Sequence, residues 1–141
     1  QSRNFKGRIE MSTKKINPSS LAPAIGFSHA VVVEGGNLIF LAGQTALNKD
    51  GVIEGNGIVE QFEKVLTNLL TALKEAGGVP DNLVKLNIFS VDPADYRANS
   101  REIGKIWQRL IGKNFPAMTL VGVTRLWDEQ ALLEIEGVAN L

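Results

Sequence analysis

The chain has 141 residues, of which 44% are apolar and 21% charged, and its 15 basic residues balance its 15 acidic residues. This size and composition are typical of one globular domain with a single core. Zero net charge argues against a nucleic-acid partner, because such proteins usually carry a basic excess that neutralises phosphates. The sequence has no cysteine, which excludes disulfides, thiolate nucleophiles and cysteine-based metal sites.

The sequence also carries no recognisable targeting segment. No apolar run is long enough to span a bilayer, and residues 1–15 lack the apolar stretch of a secretory leader. We therefore expect no membrane partner and a cytoplasmic location. Met11 is a candidate natural start, so we treat residues 1–15 as an N-terminal extension, added in part to the natural chain, and residues 16–141 as one domain.

The predicted elements follow the order β-β-α-β-α-β-β. They are strands at 30–33 and 37–42, a helix at 58–76, a strand at 83–91, a helix from 92 to 112, and strands at 118–126 and 132–139. Gly35 and Gly36 predict a tight hairpin between the first two strands, and Gly77 predicts the end of the first helix. Asp92 and Pro93 are a typical helix start. This order predicts an α+β fold with both helices on one face of a mixed sheet.

Two of the predicted strands are apolar on both faces. In the strand at 37–42, Ile39 and Leu41 share one face while Phe40 lies on the other, and the strand at 118–126 shows the same pattern. Two helices cover only one face of a sheet, so another surface must cover the second. A partner copy predicts a homo-oligomer, and a loop or the N-terminal segment folding over the sheet is the alternative.

The last strand carries two carboxylates with a spacing of two. This spacing places Glu134 and Glu136 on one face and Leu133 and Ile135 on the other. If the leucine and isoleucine meet the helices, both glutamates point to the face assigned to the oligomer. There they are either candidates for acid–base chemistry or part of an open, solvated stretch.

Other sources of chemistry are sparse. His29 is the only histidine and has no partners at metal-ligand spacing, so we predict no metal site. The sequence contains neither a nucleophile-elbow motif nor a glycine-rich nucleotide loop, and we expect no cofactor. Gly43 ends an apolar strand, where it is either a backbone donor that a ligand approaches closely or a plain turn glycine.

Several separated motifs resemble the Rid family, also called the YjgF-type or reactive intermediate deaminase family. The resemblance covers residues 16–139 and rests on Ala24-Ile25-Gly26, the 39–44 segment Ile-Phe-Leu-Ala-Gly-Gln, the helix at 66–77, Phe115-Pro116-Ala117-Met118 and Glu134-Ile135-Glu136-Gly137. It implies a chorismate mutase-like fold and a homotrimer. It also implies cofactor-independent hydrolysis of small imines or enamines, such as 2-aminoacrylate, to keto acids and ammonia in a cleft between subunits.

The resemblance also implies roles for individual positions. Glu134 stands where the family's glutamate orients the attacking water, and Gly43 stands where a glycine N–H binds the substrate. Four positions depart from the family's pattern, and three of them are minor. Ser28 stands where the family has a tyrosine, Ala42 where it has a serine, and Ser100, with Asn99 beside it, where it has an asparagine. The substrate-binding set that this predicts is Ser28, Ala42, Gly43, Asn99, Ser100, Met118, Thr119 and Leu120.

The fourth departure is Met118, which stands where the family's arginine binds the substrate carboxylate. Methionine offers no charge to a carboxylate, so the archetypal 2-aminoacrylate specificity is not expected. Arg125 lies seven residues further along the predicted strand, on its opposite face, and does not replace the lost arginine. Met118 is then either an apolar pocket floor for another imine or packing in an interface without catalysis.

Three functions follow as hypotheses. The first is an imine or enamine deaminase that acts on a keto-acid-like small molecule, with Glu134 orienting water. The second is a non-catalytic trimer that binds a small metabolite or a protein. The third, a ribonuclease, has little support, because the chain has one histidine and no basic excess.

Overall fold

The structure, a computed structural model, describes residues 11–141. Its strands are β1 (Ser12–Ile16), β2 (Ala30–Glu34), β3 (Leu38–Gln44), β4 (Leu83–Ser90), β5 (Ala117–Gly122) and β6 (Leu133–Asn140), and its helices are α1 (Ile58–Glu75), α2 (Pro93–Ala98) and α3 (Ser100–Leu110). A 3₁₀ turn, Pro80–Asn82, leads into β4. No helix within the described residues is long and apolar enough to cross a membrane.

The strands form two sheets. The larger has the order β3-β6-β4-β5, in which β6 is antiparallel to both of its neighbours and β5 is parallel to β4. The smaller contains β1 and β2, paired antiparallel. The helices pack on one face of the larger, mixed sheet, which confirms the predicted α+β fold.

The core lies between α1 and the central strands. The apolar stripe of α1 is buried along its whole length. It packs in one cluster with Leu86 of β4 and with Leu133 and Ile135 of β6, none of which is exposed. Each such side chain contributes about 1.5–3 kcal/mol when it leaves water, so this face of β6 is firmly held.

The predicted hairpin between residues 30–33 and 37–42 is wrong. β2 pairs with β1, while β3 pairs with β6 in the other sheet. The glycine turn packs against the end of β6 instead: the Asn37 N–H donates to the Leu141 carbonyl (2.7 Å), and the Leu141 N–H donates to the Asn37 carbonyl (2.9 Å). A long-range pairing therefore replaces the local one that the turn residues favour.

Three other boundaries differ from the prediction. β1 begins inside the predicted N-terminal extension and ends at Ile16, the first residue of the predicted domain. Its sequence Ser-Thr-Lys-Lys-Ile has no apolar alternation that would reveal a strand. Residues 1–10 lie outside the described part of the chain.

The second helix is divided at Asn99 into α2 and α3, although Asp92 caps it as predicted by accepting the Asp95 N–H (3.1 Å). β5 stops at Gly122, because its single neighbour β4 ends at the paired residue Ser90.

A buried glutamine fixes the entry into β6. Gln61 of α1 is 3% exposed; its amide donates to the Gln130 carbonyl (3.0 Å), and its oxygen accepts the Leu132 N–H (2.8 Å). These bonds tie the segment before Glu134 to the helix and so set where that glutamate emerges.

Gln61→Leu keeps the size of the side chain and leaves these backbone groups without partners. We expect a loss of about 2–3 kcal/mol in the free energy of unfolding, measured by denaturant titration. Gln130→Leu is the matched control, since that side chain is exposed and should change stability by less than about 0.5 kcal/mol. Equal effects of the two substitutions would contradict the assigned role.

Candidate functional site

The burial of β6 alternates as the sequence predicts. Leu133 and Ile135 are fully buried beneath the helices, and Glu134 and Glu136 lie half-buried on the opposite face of the sheet. We call this the outer face. The carboxylates are thus held by a rigid central strand rather than by a loop.

A β-bulge in β3 lies beside Glu134. Between the pairs Leu41–Gly137 and Gln44–Ile135, β3 has two residues, Ala42 and Gly43, where β6 has one. A Cβ atom on Gly43 would stand 2.8 Å from Cδ of Glu134 and still closer to its Oε1. The carboxylate therefore occupies the space above the Gly43 backbone, which is open because glycine has no side chain.

The two glutamates differ in their partners. Glu136 accepts a hydrogen bond from the side-chain amide of Asn87 on β4 (3.1 Å). Glu134 has no hydrogen bond or ion pair with any residue from 11 to 141. Its carboxylate is available to accept a proton or a hydrogen bond from a bound molecule.

The outer face also carries large apolar side chains that are exposed in the single chain. Phe40, which pairs with Val138 across β3 and β6, is 76% exposed, Leu38 is 55% exposed, and Val121 of β5 is 42% exposed. The predicted apolar second face is confirmed. Large apolar side chains exposed on one face of a sheet are typical of an interaction site.

A cavity of about 890 Å³ lies on the other side of the sheet, between α3, β5 and the 25–27 segment. Met118 and Leu120 of β5 form part of its wall. Aromatic rings form much of the rest, contributed by Phe27, Phe62, Tyr96, Trp107 and Phe115. The helices and β5 together make a largely apolar chamber next to the strand that carries Met118.

The structure divides the predicted site residues into two groups. Ala42, Gly43 and Glu134 lie at the outer face. Four residues line the cavity on the helix side: Ser100, Met118, Thr119 and Leu120. Thr119 also reaches toward the outer face, where its hydroxyl accepts from Lys85 Nζ (3.2 Å). Within one chain Glu134 and the cavity lie on opposite faces of the sheet.

Two predicted residues join neither group. Ser28 is 3% exposed, and its hydroxyl donates to the Phe115 carbonyl (2.6 Å), so it holds the cavity wall while its neighbour Phe27 lines the cavity. The Asn99 amide donates to the Asp95 carbonyl (2.9 Å), and the residue lies in a depression beside the start of α1.

Arg125 lies away from the cavity for a different reason from the one predicted. β5 ends at Gly122, so the argument from strand faces does not apply to Arg125. Its guanidinium pairs with Glu129 (3.0 Å) and donates to the Trp127 carbonyl in the loop before β6.

The histidine also has a partner nearby in the sequence, because His29 Nε2 lies 2.7 Å from the Ala22 carbonyl oxygen. No group of three or more acidic, histidine or cysteine side chains within residues 11–141 could hold a metal ion.

Sequence reasoning missed several cavity residues. Tyr96 of α2 is one of them, and burial raises the pKa of its hydroxyl from the ordinary value to about 12. Arg101 and Lys113 bring positive charge to the same cavity. Arg101 directly follows Ser100, and Lys113 precedes the Asn114-Phe115-Pro116 segment, but their shared cavity is a tertiary property.

Comparison with known proteins identifies the family. The family described as endoribonuclease L-PSP matches residues 17–141. The chain belongs to this family, which is also known as the YjgF or Rid family. It is 38% identical over 133 residues to the RutC family protein slr0709 of Synechocystis, covering 92% of this chain and 98% of the relative.

Two further matches bear on activity and fold. The chain is 29% identical over 129 residues to a 2-iminobutanoate/2-iminopropanoate deaminase of Dermatophagoides farinae, covering 91% of this chain and 97% of that protein. The crystal structure of YyfB from Yersinia pestis, a Rid protein of unknown function, superposes with a TM-score of 0.82 at 34% identity, covering 92% and 98% of the two chains.

Gly43→Ala tests the contact between the bulge and Glu134. The new methyl group must displace the carboxylate, which is the flexible end of a side chain, so we expect a stability change within about 1 kcal/mol. A crystal structure of the variant should show the Glu134 carboxylate turned away from residue 43. Gly57→Ala is the control, because its Cβ would meet no atom within 4 Å. An unmoved carboxylate in Gly43→Ala would contradict the described contact.

Proposed function

We propose that this protein hydrolyses a small reactive imine or enamine without a cofactor, in a cleft formed between subunits. The observation that carries the proposal is the Glu134 carboxylate, which lies over the Gly43 backbone without a partner among the described residues. Membership of the family supports it, as does the similarity to a protein named as an imine deaminase.

The chemistry requires one base and one water molecule. An enamine first takes a proton on carbon to become an iminium, and an imine takes its proton on nitrogen. Glu134 orients the water and accepts its proton as the oxygen attacks the iminium carbon. That proton then moves to the nitrogen, and the C–N bond breaks as Glu134 takes the proton of the new hydroxyl group. The products are a carbonyl compound and ammonia, and Glu134 returns the last proton to solvent. The Gly43 N–H at the bulge is our candidate donor to the polar end of the substrate.

The cleft in this proposal needs a second copy of the chain. Glu134 and Met118 lie on opposite faces of one sheet, so a cyclic homotrimer that packs the apolar outer face against a neighbour brings Glu134 of one copy toward the cavity of the next. The proposed partners are therefore copies of this chain and a small imine or keto-acid-like molecule. A cytoplasmic location is part of the same proposal.

The substrate differs from 2-aminoacrylate in this proposal. Met118 lines the cavity where a carboxylate-binding arginine is expected, and an apolar thioether offers no charge to that group. The same apolar wall supports the second candidate function, a trimer that binds a small metabolite in the cavity without turnover.

Glu134→Gln separates the two candidates. Imines generated in the assay by an amino-acid oxidase should decay faster with the native protein, and the variant should lose about a hundred- to ten-thousand-fold of this acceleration, since the amide accepts no proton. Glu136→Gln is the matched control, because that carboxylate lies on the same strand and already bonds to Asn87. It should retain most of the activity. If neither the native protein nor Glu134→Gln changes the rate of imine decay, the result would favour the trimer that binds a metabolite without turnover.

A further inference from the structure

The cavity beside Met118 has an aromatic lining that suits a large apolar group. Trp107 and Phe115 stack in parallel with ring centroids 6.3 Å apart, and Tyr96 meets Phe62 edge to face at 6.1 Å. All four rings line the cavity. In the single chain the cavity, about 890 Å³ and open on one side, has room for a ligand larger than a three-carbon acid.

The charged side chains that line the cavity are all positive. Arg101 and Lys113 line it, and no aspartate or glutamate of the described chain does. The carboxylate next in sequence to Arg101, Glu102, pairs with Lys105 (3.3 Å). A chamber with two cations and no acid favours an anionic ligand.

Arg101 is free to bind that anion. Four other basic residues form ion pairs with carboxylates within residues 11–141, namely Lys64, Lys105, Arg109 and Arg125, but Arg101 forms neither an ion pair nor a hydrogen bond there. Its guanidinium presents a planar fork that binds a carboxylate through two parallel hydrogen bonds. The ammonium of Lys113 acts as a point charge and lacks this geometry.

A buried donor in the same wall has no protein partner. Trp107 is 7% exposed, and its indole Nε1 finds no acceptor within the described part of the chain. The nitrogen has almost no accessible surface of its own, so Trp107 contributes its ring to the cavity wall and not a hydrogen-bond donor to a ligand.

We propose that the cavity selects 2-imino and 2-keto acids with an aromatic or branched apolar side chain, and that Arg101 binds their carboxylate. This inference rests on the proposed function for the reaction but not for the binding. The apolar side chain packs among the rings of Trp107 and Phe115. The positive charge that Met118 does not supply from β5 comes from α3, on a different wall of the same chamber.

Calorimetric titration of the assembled protein with three stable probes tests the binding directly. Phenylpyruvate has both recognised features, pyruvate lacks the ring, and phenylacetone replaces the carboxylate with a methyl group. We expect phenylpyruvate to bind at least about tenfold more tightly than either of the others, because each loses one interaction.

Variants then assign the anchor. Arg101→Gln should weaken phenylpyruvate binding by about ten- to a hundredfold and leave phenylacetone binding within about twofold. Arg101→Lys should fall between the native protein and Arg101→Gln, because an ammonium restores the charge without the fork. Arg97→Gln is the matched control on the exposed side of α2, outside the cavity lining, and should change neither affinity.

The outcomes separate this inference from the proposed hydrolysis. If the binding pattern holds but imines are not hydrolysed, the cavity assignment stands and the proposed reaction fails. If imines are hydrolysed but pyruvate binds as tightly as phenylpyruvate, or Arg101→Gln changes nothing, the cavity assignment is overturned and the reaction stands. A loss that follows Lys113→Gln instead of Arg101→Gln would overturn the choice of anchor.

Discussion

The alternation of side chains along β6 is the constraint on which the site depends. Leu133 and Ile135 are locked into the core beneath α1, and β6 is hydrogen-bonded to a strand on each side. A slip of one residue would bury Glu134 in the apolar core, which the cost of an unpaired buried charge forbids. The same contacts that stabilise the fold therefore fix the direction of the glutamate, and the bulge at Gly43 gives its carboxylate a place to lie.

That constraint also places Glu134 and the cavity on opposite faces of the sheet. A strand presents successive side chains to opposite faces, so a glutamate directed away from the helices cannot reach a chamber built between the helices and β5. The exposed apolar outer face offers the economical solution, since burying it against another copy would stabilise an assembly and complete a site at once. In this account oligomerisation and catalysis have a common origin in the two-sided strands.

Sequence patterns predicted the fold and the direction of the β6 side chains well, for identifiable reasons. Glu134, Leu133 and Ile135 follow from period-two alternation, and Asp92 follows from the local chemistry of a helix start. The pairing of β2 with β1 could not be read from local signals, because Gly35 and Gly36 favour a hairpin whichever strands lie beside them. Arg101 was missed because an arginine on an exposed helix is ordinary until the cavity below it is known. Met118 was predicted to depart from the family's pattern, but the positive charge of the neighbouring α3 was not considered.

The most direct test of a shared site is complementation between two inactive variants. Glu134→Gln removes the base, and Gly104→Trp fills the cavity from α3, where a Cβ at Gly104 would meet no atom within 4 Å. In randomly mixed trimers about a quarter of the sites would combine an intact Glu134 from one copy with an intact cavity from the next. We expect this fraction of the imine hydrolysis to return when the two variants are assembled together. Mixed trimers that form but remain as inactive as each variant alone would show that no site is shared between subunits.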